Sequence, residues 1–364
     1  MPIADLSKPL TLARGPAMKN RLMLAPLTNQ QSNEDGTLSE DETRWLTMRA
    51  EGGFALIRTA AAPVQKVGQG YPGQLGIYDD LHLPGLRGLA RAIRASGALS
   101  AVQLYHGGDR ASPELVGTPV SPTNGSRNGA RQLALDEVEQ LRDDFIAAAV
   151  RADSAGFDGV EVHGAHGYIL AQFLSPQINQ RSDSYGGSFE NRARLMLEVI
   201  DGIRKRCRPD FQVGLRLSPE RFGMKLGEVR ELASEIMHLG KIDYLDMSLW
   251  DSFKDPHEEA YHGRSLLSYF TDIPRGDVRL SVAGKIMSMQ DAANLIDSGC
   301  DFVSIGRAAI LRHDFPEQVK QVPPYDSPAL PVSESLLREQ GAGAPFIAYL
   351  RTFPGMVRES DLPD

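Results

Sequence analysis

Eight short apolar runs, separated by longer amphipathic stretches, constrain this chain more than any other feature. They read RLMLAPL (21–27), FALIRTAA (54–61), LSAVQLYH (99–106), GVEVHGA (159–165), QVGLRLS (212–218), DYLDMSL (243–249), RLSVAGK (279–285) and FVSIGRA (302–308). Each is short enough for a strand and bounded by turn residues. The stretch DEVEQLRDDFIAAAVRADSAG is typical of what lies between. It places Val138, Leu141, Phe145, Ala148 and Ala149 on one helical face and stops at Gly156. A helix between two strands returns the chain to the edge it left, so the strands run parallel. Eight such units in 364 residues predict an α/β fold, a single (β/α)8 TIM barrel.

The segment PLTLARGPAMKN before the first run reads as an N-terminal β-hairpin that plugs the barrel bottom. No repeat or change of composition divides the chain, so one domain over 1–364 is expected. Its core spans about 20–320, and 321–364 form a C-terminal extension. That tail carries Pro323, Pro324, Pro328 and Pro331, then a helical segment near 333–352. The longest non-helical insert, 107–134, follows the third strand, where barrel loops build active sites.

With 41% hydrophobic residues the chain can bury a large core, and a net charge of -8 offers no general attraction to nucleic acid or anionic lipid. No run approaches the roughly 18 apolar residues of a membrane span, and the N-terminus lacks a basic start followed by an apolar core. A cytoplasmic protein is expected. Cys207 and Cys300 are too few for a disulfide scaffold and form no CxxC motif. GQGYPG at 68–73 fits GxGxxG in letters, but no amphipathic helix follows it, so it is not read as a dinucleotide fingerprint.

In a barrel, catalytic groups belong at the C-terminal ends of the strands. Polar residues fall there: Pro26, Thr28 and Asn29 after the first run, Gln103 on the third, His163 and His166 after the fourth, Arg216 on the fifth. The last two runs end in AGK and IGRA. Backbone N–H groups of Gly284 and Gly306, with the Arg307 guanidinium, could hold a phosphate there, which implies a phosphate-bearing cofactor. Other readings stand beside these. His163 and His166 could ligate a metal, although no third ligand stands at recognisable spacing. Tyr168 could be a core aromatic opening a helix, Arg216 could pair with Glu161 inside the barrel, Thr28 could be a turn residue, and Arg307 could pair on the surface.

The run LAPLTN, the block HGAHGYILAQFLSPQINQRSDSYGGSFENRARLMLEVI, then LRLSPE and SIGRA, together resemble the old yellow enzyme family of flavin-dependent ene reductases, from about residue 3 to about residue 320. The resemblance implies tightly bound FMN, with NADPH or NADH as a transient hydride donor. It places the phosphate on Gly284, Gly306 and Arg307, Gln103 at the pyrimidine edge, Arg216 beside N1 and O2, and Thr28 at O4. Ala25, Pro26 and Ala60 would line the ring. His163 and His166 would donate hydrogen bonds to the carbonyl or nitro oxygen of an electron-poor alkene, and Tyr168 would deliver the proton. Gly164 and Gly167 would allow the tight turn. The partners expected are small molecules and a second copy of the chain, the latter through FIAYLRTF and with Arg351 reaching a neighbour's pocket. Trp250 and Tyr261 are expected to shape the site. Two alternatives remain at this stage: an FMN-dependent enzyme oxidising C–N bonds on the same fold, and a flavin-free phosphate-binding barrel.

Overall fold

The computed structural model describes residues 3–359. Eight strands form a closed, wholly parallel barrel: β1 Leu22–Leu24, β2 Leu56–Pro63, β3 Leu99–Tyr105, β4 Gly159–Gly164, β5 Gln212–Leu217, β6 Tyr244–Ser248, β7 Arg279–Ala283 and β8 Phe302–Ile305. Each pairs with its neighbours in the sequence. The barrel closes where β8 meets β1, with Leu22 opposite Val303 and Leu24 opposite Ile305. Helices such as Glu40–Glu51, Leu83–Ala95, Leu135–Ser154, Phe189–Arg206 and Leu226–Leu239 return the chain between strands. All eight expected runs hold a strand, and the TIM barrel fold is confirmed.

Side chains on a strand point alternately in and out, and this alternation sorts the barrel interior into layers. Met23, Leu56, Leu99, Ala101, Tyr244 and Phe302 form an apolar bottom layer. Two residues further along the same strands stand Arg58, Gln103, Asp246 and Ser304, joined by Glu161, all buried. Above them come His163, Arg216 and Ser248. The intervening residues, among them Ile57, Val102, Val160 and Leu215, point outward into the main cluster under the helices.

The N-terminal hairpin is smaller than expected, a single antiparallel bridge between Leu10 and Met18 preceded by a 3-10 turn at Ile3–Ser7. It still plugs the bottom: Leu10, Leu12 and Met18 pack against Leu56, Leu99 and Phe302. The C-terminal helical segment is two short helices, Glu334–Glu339 and Ala344–Arg351, separated at Gly341, whose φ is 84°. The second lies over the barrel top. Phe346 meets Trp45 edge-on at 4.8 Å, and the Gly343 N–H donates to Gln31 Oε1 at 2.7 Å.

No helix among the described residues is long and apolar enough to cross a membrane.

Candidate active site

The block containing HGAHGY turns sharply at the end of β4. His163 is the last inward-pointing residue of the strand, paired across to Arg216 of β5. The turn is made by His166, at φ 60°, and by Gly167, at φ 72°. Gly164 leaves room for its neighbour: a Cβ there would come within 2.5 Å of Met196 Cε, the end of a flexible side chain that would have to move. Tyr168 then caps the helix Ile169–Leu174. As a result the three expected catalytic residues come together. The Tyr168 ring centroid lies 5.2 Å from that of His163 and 6.4 Å from that of His166, and Tyr105 supports it edge-on at 4.5 Å.

The hydrogen bonds around the rings place the proton of His163. The Ala165 N–H donates to His163 Nδ1 at 3.2 Å, which leaves Nε2 as the protonated nitrogen of His163. Nε2 faces His166 Nδ1 at 3.3 Å. On the far side, His166 Nε2 lies 2.8 Å from Ser248 Oγ, and that oxygen accepts from Arg216 Nη2 at 3.3 Å. With one lone pair given to Arg216, the Ser248 hydroxyl proton can go to His166 Nε2. As the rings stand, the protonated His163 Nε2 donates to His166 Nδ1; an oxygen entering between them lets His166 carry its proton on Nδ1, and both imidazoles can then aim an N–H at it. Two such donors are what a carbonyl or nitro oxygen gaining negative charge requires. Burial, then His166 and Arg216, hold His163 well below the usual histidine range, while burial, with Arg216 next, brings His166 down to about 3. Both are neutral donors at pH 7.

Beneath them runs a buried charge network. Arg58 Nη1 donates to Asp246 Oδ2 at 2.7 Å and to Glu161, its Nη2 donates to Ser304, and its Nε donates to the Leu24 carbonyl. Gln103 Nε2 donates to Glu161 Oε1 at 2.7 Å. Arg216 Nε lies 3.4 Å from Asp246 Oδ2 without a hydrogen bond. The barrel carboxylate that the alternative reading gave Arg216 is Asp246 rather than Glu161, which serves Arg58 and Gln103. Burial raises the Glu161 carboxyl against the pull of Arg58. Arg58, Asp246 and Ser248 were not singled out from the sequence. The available signal was a charged or polar residue at an inward position of an apolar strand.

Six of the expected cofactor residues line one cavity of about 170 Å³: Ala25, Pro26, Arg216, Gly284, Gly306 and Arg307, together with Ser248 and Trp250. Thr28 lines an adjoining cavity of about 380 Å³ with Pro26, Arg307, Phe346 and Tyr349. Gln103 and Ala60 line neither, being buried on β3 and at the β2 bulge between Arg58 and Ala61. A Cβ on Gly284 would stand 2.9 Å from the Asp251 backbone nitrogen, so the close approach of those two loops requires glycine. Arg307 is exposed and free of protein partners among the described residues. Lys285 lines the same cavity and bonds Asp251 at 2.9 Å. Tyr261 is turned away from the cavity and packs on Tyr269, whereas Trp250 lines the wall. The donor set fits FMN: an unbonded buried Arg216 Nε stands at one end, and glycine backbone with a free guanidinium at the other.

Among the described residues, no group of three or more His, Cys, Asp or Glu side chains is arranged to hold a metal ion.

Residues 5–325 match the model of the NADH:flavin oxidoreductase / NADH oxidase family. The chain is 38% identical over 328 residues to a probable NADH-dependent flavin oxidoreductase, YqiG, of Bacillus subtilis, covering 87% of this chain and 88% of that one. It is 35% identical over 228 residues to 12-oxophytodienoate reductase 2 of Arabidopsis thaliana, covering 58% of this chain and 60% of that one. Among solved structures it resembles morphinone reductase in complex with tetrahydroNAD, with a TM-score of 0.77 and 29% identity over 91% of this chain and 93% of that one. It also resembles the old yellow enzyme homologue of Zymomonas mobilis, with a TM-score of 0.78 and 26% identity over 92% and 96%. The flavin-free alternative gives way to these findings. The chain belongs to the NADH:flavin oxidoreductase / NADH oxidase family and is an FMN-dependent NAD(P)H oxidoreductase of old yellow enzyme type.

Proposed function

We propose that the chain reduces the activated C=C bond of α,β-unsaturated carbonyl or nitro compounds. The observation that carries this reading is the convergence of His163 Nε2 and His166 Nδ1, on two neutral imidazoles, beside the Tyr168 ring. When bound, FMN supplies hydride taken from NADH or NADPH. His163 Nε2–H and His166 Nδ1–H hold the substrate oxygen and stabilise the charge that develops on it as the β-carbon is reduced. Tyr168 then gives its proton to the α-carbon, so the alkene gains one hydride and one proton.

For the cofactor, Gly284, Gly306 and Arg307 would take the phosphate, Arg216 and Gln103 the pyrimidine edge, and Thr28 the O4 side. Ala25, Pro26 and Ala60 would form the wall. Gln103 has one amide hydrogen committed to Glu161 and keeps its carbonyl for a ring N–H. Two relatives named for the reduction of 12-oxophytodienoate and of morphinone support the enone reading.

We propose a cytoplasmic enzyme working as one domain. A homodimer through the tail would use the exposed Phe353, because Phe346, Ile347 and Leu350 are already spent on the chain's own barrel and Arg351 is held by Glu334 at 2.6 Å. Light scattering of the purified protein decides that point.

The test of function is anaerobic stopped-flow absorbance. The protein is reduced with NADPH and then mixed with 2-cyclohexenone. Bleaching near the ~460 nm flavin band, followed by rapid return on enone, is expected. Bleaching without return would transfer the case to C–N bond oxidation.

A further inference from the structure

One half-buried cation beside the site has no hydrogen-bond or ion-pair partner among the described residues. Arg110 ends the 3-10 turn Gly108–Arg110, just after β3, and is half-buried. Its guanidinium carbon lies 5.4 Å from the centroid of the Tyr168 ring and 5.6 Å from that of Phe222. It makes no hydrogen bond or salt bridge among the described residues. Every other buried or half-buried arginine among them donates to or faces a carboxylate or a carbonyl. The neighbouring acid feels its charge but gives it no hydrogen bond. Asp109 is turned inward, accepting from Gln172 Nε2 at 2.8 Å and from the Arg127 N–H at 3.3 Å. Glu220, the buried acid just before Arg221, is held by Lys254 and by the His257 N–H.

A guanidinium carries five donors in a rigid fork suited to a carboxylate or phosphate. The two rings lie within cation–π distance and offer the fork no oxygen acceptor from their faces. Folding gains little from leaving a half-buried cation in this state, in a protein whose other sheltered arginines are paired.

We propose that Arg110 recognises an anionic group on the substrate, so that the preferred substrates are activated alkenes carrying a carboxylate. The inference rests on the ene reductase reading and names its substrate class. The carboxylate takes no part in bond making and anchors the molecule beside Tyr168. A phosphate of the nicotinamide donor offers the same chemistry, and the two half-reactions separate these sources.

The experiment uses FMN-loaded wild type, Arg110→Gln and Arg110→Lys. In the first arm, 4-hydroxybenzoate and its methyl ester are titrated into the oxidised protein and the flavin spectrum gives Kd. In the second, NADH-reduced and NADPH-reduced enzyme is mixed with 4-oxo-2-pentenoate or its methyl ester. Arg110→Gln is expected to weaken both acids about 10- to 100-fold, the loss of a charge-assisted hydrogen bond. Both esters should change less than about threefold on the same scale, and Arg110→Lys should recover part of the loss. Equal losses for acid and ester, or none for either, would overturn the proposal. Slower reduction by NADH or NADPH with acid affinity intact would overturn it in favour of a nucleotide phosphate. If wild type turns over neither acid nor ester, the ene reductase reading falls, while the Kd arm still decides whether Arg110 selects carboxylates.

Discussion

The two ends of the barrel are built from the same eight strands and have opposite chemistry. At the bottom, Leu56, Leu99, Tyr244 and Phe302 pack against Leu10, Leu12 and Met18, and the contacts are apolar. One inward step higher, Arg58, Glu161, Gln103 and Asp246 are as deeply buried as the bottom layer and are held by charge and hydrogen bonds. The bottom tolerates its neighbours by shape alone. The middle works only as a complete set, because removing one ion leaves another buried without a partner. The top inherits that order: Asp246 faces Arg216, Arg216 bonds Ser248, and Ser248 bonds His166 Nε2.

The comparison can be broken at several levels. Tyr168→Phe touches only the top, and is expected to slow alkene turnover by about 10²- to 10⁴-fold while leaving reduction by NADPH and the unfolding midpoint in place; stopped-flow of each half-reaction checks it. Arg58→Met strands Glu161 and Asp246, so denaturant unfolding should show a loss of about 3–5 kcal/mol. Adding Glu161→Gln and Asp246→Asn to that variant should restore much of the loss, whereas a purely volumetric effect would not be restored. At the bottom, Leu56→Ala should cost about 2–5 kcal/mol of stability with turnover per folded molecule unchanged.

Acid sharpens the contrast next. His166 takes up no second ring proton in the folded state until about pH 3, but in the unfolded chain it does so near pH 6.5. Below pH 6.5 the unfolded state therefore binds more protons, and stability falls as pH falls. By pH 5 this histidine alone accounts for about 2 kcal/mol. His166→Asn should lose about that much less between pH 7 and pH 5, read from urea midpoints at both values. The smallest effect expected is that of Ser248→Ala. Loss of one neutral hydrogen bond lowers alkene turnover about 2- to 10-fold, and Ser248→Thr, which keeps the hydroxyl, should recover it. A loss that threonine does not recover would count against the role of that hydrogen bond.

The barrel was legible because each strand is a short apolar run bounded by turns and each helix has a single apolar face. The histidine pair and Tyr168 were legible because they lie within six residues of one another, at a strand end. Arg58, Asp246 and Ser248 were not. Their meaning comes from partners up to 246 residues away, and alone each reads as an ordinary polar residue in a strand. The turn was assigned to Gly164 and Gly167, yet His166 itself adopts the left-handed backbone, a choice set by the Ser218 hydroxyl accepting its N–H at 3.0 Å. Tyr261 was misplaced because a loop sequence does not state which way its aromatics turn.

The tail over the first βα loop has its own significance. Phe346, Tyr349, Leu350, Phe353 and Met356 make one wall of the 380 Å³ cavity, and Thr28 and Arg307 make another. The ceiling of the pocket is therefore written in the last thirty or so residues, apart from the strands that carry the chemistry. Substitutions there can retune which molecules enter while the catalytic layer stays as it is, so the barrel end and the tail are free to diverge at different speeds.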